Sequence, residues 1–283
     1  MSDFRTPVPF GQTGLQVSRL GIGSSFTGDP AFIEEAVDQG INYLYWGSIR
    51  RPAFGRAIKN VTRRNRDAVV LTVQSYTRMA SLLAPSIELA LRRAGVEHFD
   101  FLLLGMWNKP PGQALVDAAQ RLVEKGKARR LMLSTHNRPS LQGHFRQFEA
   151  KESPFDAFML RYNAVHRGAE QDVFPHLPES PRPGIVAYTA TRWGHLLDPK
   201  KMPPGEQPPA ARDCYRFALS HPGVGLALCG PANREQMQEA LHALDAGPLD
   251  AEEMARMQRI GDHVYGKYKP QFGEKGDGAD RAA

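Results

Sequence analysis

The sequence predicts an α/β fold: a parallel (β/α)8 barrel, or TIM barrel, with an N-terminal β-hairpin. Three observations point there. Short apolar runs recur along the chain, separated by stretches with helical periodicity. Several of those runs stop abruptly at polar or aromatic residues, as Gly40–Tyr45 does at Trp46-Gly47-Ser48, which is how barrel strands present side chains at their carboxyl ends. Finally, 283 residues with 41% hydrophobic content suffice for one barrel of about 250 residues.

The elements follow in order. Residues 8–19 read as the hairpin, turning at Gly11-Gln12-Thr13-Gly14. Leu20–Gly23 is the first core strand. Gly21, Gly23 and Gly28 lack the spacing of a Rossmann fingerprint. Phe32, Ala36 and Val37 mark a helical face, strand 41–46 follows, and Phe54, Ala57, Ile58 and Val61 mark the next helix. Ala68–Val73 is a β-branched buried strand ending at Gln74, Ser75 and Tyr76. Leu82–Ala94 is helical, with Pro85 expected near its first turn. Strands Phe99–Leu104 and Arg129–Leu133 flank a helix over Ala114–Val123, and a helix over Leu141–Phe148 leads to strand Ala157–Leu160. Gly184–Ala187 and Val224–Leu228 complete eight strands, and Asp250–His263 is a last helix. Five prolines between Pro199 and Pro209 mark a rim loop. The chain is expected to be one barrel domain over residues 1–268, with a flexible tail over 269–283.

Bulk properties narrow the function. No apolar run approaches the roughly 18 residues of a membrane helix, and the opening MSDFRTPVPF has no apolar signal region. Cys214 and Cys229 have no metal-ligand spacing, so reduced thiols in a cytoplasmic protein are expected, with no metal site. A net charge of +6, spread in short pairs such as Arg63-Arg64 and Arg92-Arg93, fits solvated helix faces rather than a nucleic-acid footprint.

The strand ends supply the candidates. Tyr45 is either a proton donor or a hydrogen-bonded wall of the pocket. Arg50 and Arg51 either bind a carboxylate or phosphate or form a surface pair. His136 is either a general acid or a loop histidine bonded to backbone. Gln74, Tyr76, Arg161 and Arg192 also emerge from strand ends, and Trp46, Trp107 and Trp193 read as pocket walls suited to a flat ligand. The set holds no carboxylate pair, metal cluster or activated serine, which weighs against hydrolysis.

Seven segments in order, GQTGLQVSRLGIG, GINYLYWGS, RDAVVLT, HFDFLLL, EKGKARRLMLSTHN, RYN and CGPANREQMQEAL, resemble the aldo-keto reductases over residues 10–245. The resemblance implies a barrel with a hairpin floor, NADP(H) lying across the mouth, and carbonyl reduction helped by a tyrosine, lysine, aspartate and histidine. Those four align here with Arg50, Gln74 (or Val73), Tyr45 and Gly105 respectively, so the tetrad is degenerate. For the cofactor, Ser134 matches a carboxamide-binding serine, with Thr135 beside it. Asn163 sits in a matching Tyr-Asn pair, and Tyr188 matches the aromatic that stacks on nicotinamide. Gly230 fits the pyrophosphate loop, continued by Asn233 and Arg234. Ala232 and Ala240 replace residues that usually hold the adenosine end.

Two functions remain open. One is an aldo-keto-reductase-like oxidoreductase that binds NADP(H), acts on a small organic molecule, and takes its proton from His136 or Tyr45. The other is a non-redox member, a pseudoenzyme that binds ligand or a lyase- or cyclase-type enzyme, holding an anionic or aromatic molecule in a basic pocket.

Overall fold

The computed structural model describes residues 4–26 and 28–267. An antiparallel hairpin, β1 (Val8–Pro9) and β2 (Gln16–Val17), precedes eight parallel strands. These are β3 (Leu20–Gly23), β4 (Tyr43–Trp46), β5 (Val70–Ser75), β6 (Phe99–Leu104), β7 (Ala128–Thr135), β8 (Ala157–Arg161), β9 (Gly184–Tyr188) and β10 (Leu226–Cys229). They pair in sequence order, and β10 closes on β3 through Leu228 opposite Gly21. The predicted (β/α)8 barrel with its hairpin is therefore the observed fold.

Helices cover the outside: α1 (Ala31–Asp38), α2 (Pro52–Arg64), α3 (Ala80–Ala94), α4 (Gln113–Glu124), α5 (Leu141–Glu149), the short α6 (Ala169–Asp172), α7 (Ala211–Ser220), α8 (Arg234–Ala246) and α9 (Ala251–Lys267). Their ends follow from local chemistry. Pro52 opens α2, where its missing N–H costs nothing. Gly95 takes a left-handed φ of 66° and donates to the Leu91 carbonyl, stopping α3. Helix α3 begins at Ala80, two residues before the expected start, so Pro85 falls in its second turn. Helix α7 follows the proline-rich loop and has no counterpart in the sequence prediction. The predicted tail over 269–283 lies outside the described residues. No helix among the described residues is long and apolar enough to cross a membrane.

Strand alternation divides the core in two. One set of side chains, including Tyr43, Phe101, Leu103, Met132, Met159 and Val186, fills the barrel itself. The other set, including Leu44, Trp46, Leu71 and Leu102, packs between barrel and helices. The hairpin plugs the bottom through Phe10, which lies edge-on to Phe101 with ring centroids 5.5 Å apart. Gly184 has to lack a side chain there, since a Cβ would come within 2.6 Å of the Phe10 ring. With the floor plugged and packed, the open end lies at the strands' carboxyl termini.

Candidate active site at the barrel mouth

The same alternation, followed to the top of each strand, builds a ring. Tyr45, Gln74, Ser134 and Tyr188 end their strands facing inward, continuing the interior series Tyr43, Thr72, Met132 and Val186. Gly23 and Gly230 fall on the same ring over β3 and β10, where bare backbone leaves room. Above it opens a cavity of about 570 Å³, within the range of small-molecule sites. Phe26, Arg51, Tyr76, His136, Trp193 and Tyr215 complete much of its wall.

Over β4, β5 and β6 the ring is closed. The Tyr45 hydroxyl donates to the Gln74 amide oxygen, and the Tyr76 phenol lies near it. Gly47 permits this, because a Cβ there would lie 2.9 Å from the Tyr45 hydroxyl. Gln74 in turn lies in space that any side chain at position 105 would need: a Cβ on Gly105 would overlap the Gln74 amide. Burial raises Tyr45 well above the ordinary phenol range, and the neighbouring Tyr76 and Tyr188 phenols add to the shift. No lysine lines the cavity among the described residues, so no ammonium there opposes that rise.

Over β7, β9 and β10 the ring presents polar atoms to the cavity. Ser134 Oγ accepts the Met106 N–H at 2.8 Å, which ties the loop after β6 to β7. His136 is fixed by its own N–H, donated to Asn108 Oδ1 at 3.1 Å. Its ring stands edge-on to Tyr188, and the Tyr188 hydroxyl lies 3.3 Å from the imidazole nitrogens. Gly230 lies against Phe26, whose ring would be 3.3 Å from a Cβ at that position. Cys229 also reaches the cavity, but burial pushes its thiol up to about 12, which keeps it an unreactive thiol at neutral pH. None of the lining residues is Asp, Glu or Lys among the described residues, and no cluster that could hold a metal is found among them.

Several sequence candidates lie elsewhere. Trp46 is fully buried against α2, where Gly55 makes way for its ring, and its Nε1 donates to the Arg51 carbonyl at 3.2 Å. As the neighbour of inward-facing Tyr45 on the same strand, it has to face outward. Thr135 is excluded in the same way beside Ser134, and its hydroxyl accepts the Asn137 N–H. Asn163 is wholly buried and spent on the chain itself: its amide donates to the Thr189 carbonyl, and its oxygen accepts the Val165 and His166 N–H groups. Arg161 and Arg192 are buried beneath the surface, the latter 3.3 Å from His195 Nδ1. Trp107 lies under the Arg78 guanidinium, 4.0 Å from its ring centroid, outside the cavity wall. Asn233 caps α8 by accepting the Gln236 N–H at 2.9 Å. Arg234 forms a two-pronged ion pair with Glu35, Nε to Oε2 at 2.7 Å. Arg50 lines a smaller pocket that adjoins the main one.

Sequence reasoning missed Phe26, Met106 and Tyr215 as wall residues. Tyr215 comes from α7, and the unpredicted helix hid it. Met106 comes two residues after the end of β6, a place where a wall residue is expected.

No family model matches the sequence. Solved structures do resemble the fold. An aldo-keto reductase from Klebsiella pneumoniae in complex with NADPH superposes with a TM-score of 0.75 at 24% identity, over 93% of this chain and 96% of that one. A second Klebsiella pneumoniae structure, in complex with NADP and acetate, gives 0.74 at 24% identity over 91% and 95%. The holo form of an aldo-keto reductase from Bacillus halodurans gives 0.72 at 19% identity over 90% and 96%.

Proposed function

We propose that this chain, built on the aldo-keto reductase fold, is an oxidoreductase of that family that binds NADP(H) and reduces a carbonyl on a small organic molecule. The observation that carries the reading is the group Ser134, His136, Tyr188 and Gly230, all on one side of a cavity of about 570 Å³ at the barrel mouth.

The nicotinamide half of a dinucleotide fits these residues. Ser134 Oγ accepts one hydrogen bond and keeps its own proton to donate to a carboxamide. Tyr188 offers an aromatic face, and Gly230 leaves room for close approach of a backbone-bound group. The adenosine half fits less well. Glu35 holds the one arginine placed for a 2′-phosphate, and Asn233 is used as a helix cap. A reduced nicotinamide, when bound, supplies the hydride. The chain must supply the proton that turns the resulting alkoxide into an alcohol.

His136 is the better of the two donors. Histidine is the side chain most often used as a general acid. Tyr188 holds the ring in place and can return a proton to it from solvent. Tyr45 is the poorer donor because its proton is committed to Gln74, and burial has made the phenol a weaker acid. The usual remedy, a neighbouring ammonium, has no counterpart in the cavity wall.

Titration with NADPH, followed by its fluorescence, tests the reading. Saturable binding with Kd below about 1 mM is expected. No binding at millimolar cofactor rules it out.

The closed Tyr45–Gln74 pair favours a second reading, a non-redox ligand-binding protein. In that case an aromatic acid raises the melting temperature while NADPH is neither bound nor oxidised.

A further inference from the structure

Beside the main cavity lies a pocket of about 290 Å³ lined by Ser24, Gly47, Ser48, Arg50 and Arg51. The two spaces share Ser25, Tyr45, Arg51 and Tyr76 as walls, so a single ligand can occupy both. We infer that this side pocket binds the oxyanion group of the ligand, a carboxylate or phosphate, while an aromatic body lies in the main cavity. The inference names the substrate class of the site proposed above and rests on that proposal only in calling the ligand a substrate.

The charge pattern argues for an anion. Arg50 and Arg51 both line one small pocket, and among the described residues neither has an acidic partner. No Asp or Glu lines either space, and α2, which starts at the next residue, has no acid in its first turn. Three arginines buried or part-buried elsewhere in the chain each hold an acidic partner: Arg216 with Glu253, Arg138 with Asp172, and Arg66 with Asp100. Three serine hydroxyls, on Ser24, Ser25 and Ser48, add neutral donors around the same space. Guanidinium forks suit the planar oxygens of a carboxylate or phosphate.

The rim argues for an aromatic body. Phe26, Tyr76 and Trp193 are 56%, 51% and 39% exposed at the mouth, so three large rings border the cavity with much of their surface in water. An aromatic ligand would cover them. Tyr76 borders both spaces and sets the junction between the ring-binding and charge-binding parts.

Calorimetry in the absence of NADPH tests this with benzoate, phenyl phosphate and neutral benzamide as probes. At least one anion should bind and benzamide should not, and the tighter anion identifies the preferred headgroup. In the R50Q/R51Q variant that anion should bind about tenfold to hundredfold more weakly. The R50K/R51K variant should recover part of the loss, because charge is kept and fork geometry is not. Both side chains are exposed, so circular dichroism is expected to show an intact fold in each variant. Equal binding of benzamide and benzoate, no anion binding, or an undiminished anion affinity in R50Q/R51Q would each overturn the inference. A protein that binds benzoate through these arginines but never oxidises NADPH keeps the anion pocket and loses the reductase proposal.

Discussion

Over β4, β5 and β6 the strand ends satisfy one another, whereas over β7, β9 and β10 they turn their polar atoms to the cavity. On the first arc, Tyr45 donates to Gln74, and Gln74 occupies the space over Gly105. The groups that bond one another on that arc are all neutral. On the second arc, Ser134, His136 and Tyr188 line the cavity, with an imidazole beside a phenol. The contrast teaches that one barrel mouth can hold a self-satisfied arc beside an arc whose polar atoms stay open to a ligand. Tyr45, Gln74 and Gly105 on the first arc are also physically linked. Bare backbone at Gly105 leaves the space Gln74 fills, and Gln74 there gives the Tyr45 hydroxyl an acceptor.

The sharpest way to break the comparison is to disable each arc in turn. His136→Ala should lower kcat for NADPH-dependent carbonyl reduction by about 10² to 10⁴, with NADPH affinity nearly kept. Tyr45→Phe should cost less than about tenfold, in the same steady-state assay. If Tyr45→Phe proves the more damaging, the arcs have been assigned the wrong way round.

Next in size is the packing of the closed arc. Gly105→Ala should destabilise the fold by about 1 to 3 kcal/mol, because the new methyl overlaps the Gln74 amide. Gln74→Ala should relieve most of that cost, so a denaturant double-mutant cycle should give a coupling well above the error of additive sites. Additive effects would mean that Gln74 does not hold that space.

A smaller effect is expected at the adenosine end. Glu35→Gln removes the carboxylate that grips Arg234 and leaves its guanidinium for a 2′-phosphate. NADPH affinity should then rise several-fold relative to NADH, on the order of one charge-assisted hydrogen bond. An unchanged ratio would place the phosphate away from Arg234.

The smallest effect concerns alkaline pH. Burial raises Tyr43, Tyr45, Tyr162 and Tyr215 above the ordinary phenol value. Between about pH 10 and those folded values only the unfolded chain ionises, so the native state holds extra protons. Their contribution to stability is intact below about pH 10 and is lost as pH climbs beyond it. Phenolate absorbance should therefore lag in the native protein, and these four should appear only as the fold melts.

Much of the fold was legible because barrel strands announce themselves. Phe99–Leu104 is six consecutive residues buried on both faces, and it reads as such in the sequence. Helix α7 was not legible. Its stretch Ala-Arg-Asp-Cys-Tyr-Arg is short of aliphatic residues, follows a proline-rich loop, and makes part of its core with Cys214 and Tyr215. The site was partly legible. Strand ends were located correctly, which brought Tyr45, Gln74, Ser134 and Tyr188 to the cavity together. What failed was parity. Tyr45 and Trp46 cannot both face inward, nor can Ser134 and Thr135, and Tyr43 as an interior residue would have settled the first pair. The partners of Asn163 and Arg234 could not be seen either, because Thr189 and Glu35 reach them from distant parts of the chain.

A crystal structure of the protein grown with NADP+ bears most directly on the division of labour at the mouth. The nicotinamide ring is expected on Tyr188, its carboxamide at Ser134 and its reactive carbon turned toward the His136 side of the cavity. A ring seated against Tyr45 and Gln74 instead, or no bound dinucleotide at millimolar NADP+, would contradict it.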